Sequence, residues 1–509
     1  MIISLSVLVI TIIVSGTYAL YKAQLSKNIG VNTTTHGLAY YINYVKGTDI
    51  TAATLNPSTS YEGGASSDIE FWKKDDSYDI YGKIELTVNT IGTNLSNSPA
   101  LKYAVVNNGN VLKEGSLKGT TSGSKVTILK NLYLEQTKQI YTVYVWLDNS
   151  EELGNISNES LSISVDCTAS LQKEPAADTI ISLYTSAAKV TATNNSITYN
   201  TAPSVSLMND RLGGTTTSLD GGNIRYYGAS PNNYIYFNCS DYSNQTSSTC
   251  ETWRIIGVFD GKLKLIRGSQ IGKYSWDNKN ISTGAEDDRG KNDWTTARLM
   301  KLLNPDDYYI NDNNDKDSEG NYLGYSLYYN SASGMCFTDE GVNYSACDFT
   351  STGIKNDETR NMIAETTYNL GGWNDTGVYP NEIYEYERGT TVYTGRPTTW
   401  TGKIALAYPS DYGYAADLNQ CKQTLANYDN STCTSNNWMK AIITDNGSNH
   451  GWLLTPDSSY SFGAWYSHGN VSEYFTGAAR GAVPVLSLSS KLGIESGDGS
   501  SSNPYKLSA

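Results

Sequence analysis

Residues 451–509 leave the backbone few options. They open on an apolar run, Trp452-Leu453-Leu454-Thr455-Pro456. Two aromatic, alternating runs follow, Ser461-Phe462-Gly463-Ala464-Trp465-Tyr466-Ser467 and Val471-Ser472-Glu473-Tyr474-Phe475, with His468-Gly469-Asn470 between them. Gly-Asn between two such runs is a two-residue hairpin signal, since both residues tolerate positive φ. Gly481-Ala482-Val483-Pro484-Val485-Leu486-Ser487-Leu488 reads as a buried strand, and Ser496-Gly497-Asp498-Gly499-Ser500 as a turn leading into Asn503-Pro504-Tyr505-Lys506-Leu507. Strand alternation puts Phe462, Ala464 and Tyr466 on one face and Trp465 on the other. If only one face is buried, part of this aromatic set meets solvent. Exposed aromatics bring large contact area at low entropic cost. Tyr460, Trp465, Tyr466, His468, Asn470 and Tyr474 are therefore the expected ligand-binding residues, with Trp465 the leading anchor.

The same grammar runs through the first third. Ile80-Tyr81-Gly82-Lys83-Ile84-Glu85-Leu86-Thr87-Val88, Leu101-Lys102-Tyr103-Ala104-Val105-Val106 and Ile140-Tyr141-Thr142-Val143-Tyr144-Val145-Trp146-Leu147 are separated by Asn107-Asn108-Gly109-Asn110 and Asp148-Asn149-Ser150. Short strands at regular spacing with such turns predict a β-sandwich over 25–168. Residues 169–222 read as a connector. Pro175 precedes a short amphipathic helix there, and 191–222, rich in Thr, Ser and Asn, reads as irregular. Two helices are expected further on, at 294–303 with Asp293 as cap, and at 357–370, stopped by Gly371-Gly372.

Charge and cysteine content narrow the function. The chain of 509 residues carries a net charge of −14, which argues against nucleic acid or an acidic membrane surface as partner. It holds 40 Tyr against 7 Phe, too aromatic for a disordered chain. Six of its seven cysteines form neighbouring pairs, Cys239 with Cys250, Cys336 with Cys347 and Cys421 with Cys433. That spacing suits local disulfides in an oxidising compartment. Zinc would need closer ligand spacing and more than the 3 His present. Cys167 is left over as a buried or free thiol. Residues 2–20 are apolar and long enough to span a bilayer at about 1.5 Å per residue. The segment 1–24 thus reads as a signal peptide or a membrane anchor, and both place the remainder outside the cytoplasm.

Trp452 to Pro456, Gly481 to Val485 and Gly497 to Tyr505 resemble the close of a C-type-lectin-like module, in the formylglycine-generating-enzyme-like variant common in uncharacterised surface proteins of gut Firmicutes. The opening of the region, Arg225-Tyr226-Tyr227-Gly228, Asn232 to Cys239 and Trp253-Arg254-Ile255-Ile256-Gly257-Val258, is similar to the same modules. Val483 departs from the pattern by standing where relatives carry Arg. The resemblance implies a mainly β fold with some α, an N-terminal β-sandwich followed by an α+β C-type-lectin-like domain over 223–509. It also implies an extracellular head that binds a glycan or protein ligand, on a scaffold that elsewhere serves diversity-generating systems. Cysteine oxidation of the formylglycine-generating type is not expected, because the module cysteines are taken up in local pairs. No Ser-His-Asp or paired-carboxylate arrangement is legible either, so the chain does not read as an enzyme.

The amino-terminal segment with Gly16-Thr17-Tyr18-Ala19, and the strand Tyr141-Thr142-Val143-Tyr144-Val145-Trp146-Leu147-Asp148, are similar to the camelysin and TasA-like biofilm-fibre family. That resemblance implies self-assembly by strand exchange, and hence a rival reading as a fibre or matrix subunit. No His-Glu-x-x-His is present, so protease activity is not carried over. The one cofactor candidate is calcium. Asp315, Asp317 and Glu319 alternate ahead of Gly320 as in half of an EF-hand loop, although Ser326 stands where its closing Glu would be.

Overall fold

A computed structural model describes residues 23–25, 41–51, 55–156, 159–210, 222–278, 285, 288–308, 327–332, 334–336 and 345–508. The chain divides into two units, Met1–Glu174 and Pro175–Leu507. Most of the segment expected to connect them therefore belongs to the second unit.

In the first unit the period-2 pattern is realised as two sheets, antiparallel but for one short parallel pairing, over one core. Tyr81–Ile91 is flanked by Leu161–Ser170 and Lys125–Tyr133, with Ala23–Leu25 on the far side of Leu161–Ser170. In the other sheet Ile140–Asp148 lies between Ala65–Lys73 and Leu101–Asn107. Ile84, Leu86 and Val88 from the first sheet meet Ile69, Phe71, Val143 and Val145 from the second in a single apolar cluster. That arrangement is a sandwich. The turn at Asn108-Gly109 closes as read, with φ of 49° and 78°. Cys167 is buried and free, opposite Ile84 and Leu25.

The second unit is α+β. Its larger sheet runs Val190–Asn194, Ile197–Ala202, Leu207–Asn209, Ile224–Tyr226, Glu251–Phe259, Lys262–Arg267, Val485–Ser487 and Ile404–Ala405, with Tyr234–Phe237 also paired to Glu251–Phe259. The segment 191–222, expected to be irregular, thus supplies three strands of this sheet. A Thr-rich run needs no apolar stripe when its backbone ladder is completed by a neighbour, and β-branched Thr is a good strand residue. The helix expected after Pro175 forms as Ala176–Ser186. The other two are shorter than read. One is Arg298–Leu303, and Asp293 instead closes a local turn by accepting from Thr295 N and Oγ1. The second stops at Asp357–Met362, and Thr366–Asn369 turns into a strand paired with Thr399–Gly402. Thr366, Thr367 and Tyr368 all prefer the extended state, which overrides the apparent helical spacing.

The smaller sheet holds the aromatic hairpin. Its order is Lys273–Ser275, Ala479–Gly481, Gly451–Pro456, Gly463–Ser467 and Val471–Phe475. Disulfides Cys239–Cys250 and Cys421–Cys433 close loops of this unit. Cys347 is also disulfide-bonded. Strand Gly334–Cys336 pairs with Ser345–Cys347, while the side chain of Cys336 lies outside the described residues.

Candidate functional site: an arginine set among exposed rings

The hairpin forms, with Tyr466 opposite Ser472 and Ala464 opposite Tyr474. Its loop is three residues, one more than the Gly-Asn signal predicts. Ser467 faces Val471, His468 N donates to the Asn470 carbonyl at 3.1 Å, and Gly469 takes φ 119°. The Tyr412 hydroxyl donates to the Gly469 carbonyl at 2.5 Å and fixes the loop from below.

Alternation then sorts the hairpin by face, and here Trp465 departs from expectation. It is 0 % exposed. Gly463–Ser467 is an interior strand, paired on both edges, and Trp465 enters a core of Leu453, Tyr412, Tyr428 and Val471. Its indole N–H donates to the Trp373 carbonyl at 3.2 Å. It is a core residue and not a surface anchor. Asn470 is also taken up internally, its amide donating to the Ala426 carbonyl at 3.1 Å. Tyr460 is 54 % exposed but sits on the preceding turn, its ring stacked on Phe462 with centroids 5.6 Å apart.

The opposite face collects the remaining predicted residues. Tyr466 lies 5.5 Å from the His468 ring and 6.2 Å, edge-on, from Tyr474. His450, from the residue preceding Gly451–Pro456, completes the group, 5.4 Å from Tyr466 and 4.8 Å from His468. His450, His468 and Tyr474 are exposed, whereas Tyr466 is buried.

The centre of the group is a residue the sequence reading passed over, Arg480 on Ala479–Gly481. Its guanidinium stands 3.7 Å from the Tyr466 ring centroid, 4.4 Å from Tyr474 and 5.4 Å from Trp452. Arg480 is only 9 % exposed. Among the described residues no carboxylate pairs with it. Its one hydrogen bond runs from Nη1 to His450 Nδ1, and Nε is buried with no partner. Arginine can only donate, so His450 Nδ1 must be the acceptor and a neutral ring carries its proton on Nε2. Burial lowers the His450 pKa, and the neighbouring Arg480, His468 and Lys273 push it the same way. Burial also lowers that of Arg480, against the stabilising pull of Tyr466 and Tyr474. Cation–π contact offsets part of the desolvation cost of such a group. The sequence did carry a signal for Arg480. It is the one charge in Gly477-Ala478-Ala479-Arg480-Gly481-Ala482, where small neighbours leave room around a large cation.

A second titratable pair lies across the sheet. Glu473 is held with its carboxyl against Asp457, and burial together with this neighbour raises its pKa to about 8. Asp457 Oδ1 accepts from Ser459 N and Tyr460 N, whereas Asp457 Oδ2 and Glu473 Oε2 are buried without other partners. A proton between the two carboxyls satisfies both bare oxygens, as for any like-charged pair at close range. Asp315, Asp317 and Glu319, the calcium candidates, lie outside the described residues. Among the described residues no group of three His, Cys, Asp or Glu side chains is placed to hold a metal ion, nor is any helix long and apolar enough to cross a membrane.

No family model and no curated protein matches the chain. Among solved structures, crystal structures of two HCR/D point mutants align with TM-scores of 0.17 and 0.16, at 13 % and 12 % identity, over 53 % of this chain and 76 % and 77 % of theirs. Overlap that low carries no argument about fold or activity.

Proposed function

We propose that the second unit is an extracellular ligand-binding head. Its recognition face is the cluster of His450, Tyr466, His468, Tyr474 and Arg480. The observation that carries this reading is Arg480, a nearly buried guanidinium with no carboxylate partner among the described residues, held on Tyr466 beside exposed rings. A protein that needed only a stable sheet would pair or omit such a charge, because an unpaired buried cation costs stability. Aromatic and arginine side chains are also the groups that most often dominate binding surfaces. The disulfides Cys239–Cys250 and Cys421–Cys433 support an oxidising, extracellular setting. Glycan and protein ligands both fit.

The test is a binding screen of the full chain against glycan and surface-protein panels, repeated with Tyr474→Ala. Tyr474 is 41 % exposed, so its truncation should leave the fold intact while weakening a captured ligand by about 2 kcal/mol. A ligand held with unchanged affinity by Tyr474→Ala would move the site elsewhere.

A further inference from the structure

The chemistry of the same face narrows the ligand, and the argument rests on the reading just given. The face is locally cationic on a chain of net charge −14. Tyr274 on the neighbouring strand pairs with Arg480, and Lys273, which alternates onto the other side, still adds its positive charge to that of Arg480 at His450. The acidic residue of the hairpin, Glu473, alternates onto the other side of its strand from Tyr474 and is taken up there with Asp457. Arg480 Nε is sealed, and Nη1 is engaged by His450, but Nη2 makes no hydrogen bond among the described residues and is not sealed from solvent. A guanidinium already oriented by stacking and by one hydrogen bond loses little further freedom when an anion reaches its free nitrogen.

We propose that Arg480 anchors the carboxylate of an acidic glycan. A carboxylate oxygen accepts a stronger, charge-assisted hydrogen bond from the free Nη2 than a neutral hydroxyl would. The surrounding groups fit the remainder of a sugar better than they fit an acidic peptide. The exposed rings of His450 and His468 lie within 38° of each other, and such flat surfaces suit the C–H face of a pyranose. Two imidazoles and two phenols supply mixed donors and acceptors for hydroxyl groups. The cluster spans four strands across the face of the sheet rather than following its edge. An extended peptide would instead pair along the edge strand Val471–Phe475.

The experiment is calorimetric titration of the full chain with tri-galacturonate, its carboxyl-reduced counterpart and a tri-glutamate peptide at equal ionic strength. Binding of tri-galacturonate at least tenfold tighter than the reduced sugar, with a tenfold or greater loss in Arg480→Gln, is the expected result. The comparison of the two sugars uses the unaltered protein and stands even if Arg480→Gln fails to fold. Equal binding of both sugars, weakened by Tyr474→Ala, overturns the carboxylate anchor but leaves the recognition face in place. Equal binding that Tyr474→Ala does not weaken overturns both. Tighter binding of the peptide than of the sugar, lost in Arg480→Gln, overturns the glycan assignment. Absence of binding by all three at millimolar concentration overturns the proposal.

Discussion

The indole of Trp465 donates to the main-chain carbonyl of Trp373 at 3.2 Å, from a position with no solvent exposure. One hydrogen bond thus ties the centre of the aromatic hairpin to a segment 92 residues earlier. It also fixes the opposite directions of two adjacent buried aromatics. Trp465 points into the core, and Tyr466 points towards Arg480.

That division predicts opposite phenotypes for two hairpin variants. Trp465→Ala should cost about 3–5 kcal/mol of stability, the range for a fully buried aromatic truncated to alanine. Tyr474→Ala should cost under about 1 kcal/mol, as surface changes do. Urea denaturation of the full chain, followed by tryptophan fluorescence and circular dichroism, separates them. A Trp465→Ala protein as stable as its parent would contradict the burial.

The Asp457–Glu473 pair predicts a pH dependence. The carboxyl of Glu473 titrates at about 8 in the fold against 4.5 when unfolded. The native state therefore binds more protons than the unfolded state between these values, and stability falls as pH rises through that window. The contribution is fully present below pH 4.5 and lost once pH passes about 8. Glu473→Gln keeps the shape of the side chain and removes the titration. Its melting temperature should vary less than that of the parent across the window from pH 4.5 to about 8. Identical slopes in the two proteins would show that the shared proton is not there.

The cysteines predict a chemical asymmetry between the two units. Non-reducing peptide mapping should recover Cys239–Cys250 and Cys421–Cys433. Each closes a short loop and is worth roughly 3 kcal/mol in the chain-entropy account. Reduction should therefore lower the unfolding transition of the second unit and leave that of the sandwich in place. Cys167 lies within the sandwich core, and burial pushes its thiol well above the usual range. Alkylation of Cys167 should occur only at denaturant concentrations that unfold the sandwich. Rapid labelling under native conditions would place that thiol at the surface.

What the residues made legible follows from how local each signal is. Asn108-Gly109 and His468-Gly469-Asn470 announce their turns within a few residues, and the alternating runs on either side fix strand register. Neither run says how many neighbours a strand acquires. Gly463–Ser467 is paired on both edges by Gly451–Pro456 and Val471–Phe475, while distant segments cover Trp465 on one face and Arg480 lies over Tyr466 on the other. Periodicity alone reads that strand as half exposed. Arg480 escaped notice for the same reason. Its neighbours in sequence are Ala479 and Gly481, and the rings that define its role come from three other strands and the residue before one of them. The strands at 190–209 were hidden by polarity, since a ladder completed by Ile224–Tyr226 draws on backbone groups common to every sequence.

The last prediction concerns charge buried beneath the larger sheet. Arg225 and Lys264 come from adjacent regions of that sheet, and both reach Asp411 in the helix Pro409–Tyr414. Arg225 Nη1 donates to Asp411 Oδ1 at 2.8 Å, and Lys264 Nζ donates to Oδ2 at 2.5 Å. Oδ2 also accepts from Tyr408 N at 3.0 Å and so caps the helix. Asp210 Oδ2 takes Arg225 Nε at 2.5 Å. Two cations and two carboxylates thus balance with almost no contact with water. In such a network the desolvation cost of each ion is met by its partners, and removal of one partner leaves the others bare. Asp411→Asn keeps the size and part of the cap but removes the charge that both cations share. It should cost about 3–5 kcal/mol. Lys264→Met removes a cation while Arg225 still neutralises Asp411, so its cost should be smaller, and the double variant Asp411→Asn with Lys264→Met should recover part of the loss of the first. A double-mutant cycle measured by denaturation reads this coupling directly. Strictly additive costs would show that Asp411 and Lys264 do not share the buried charge balance seen in the fold.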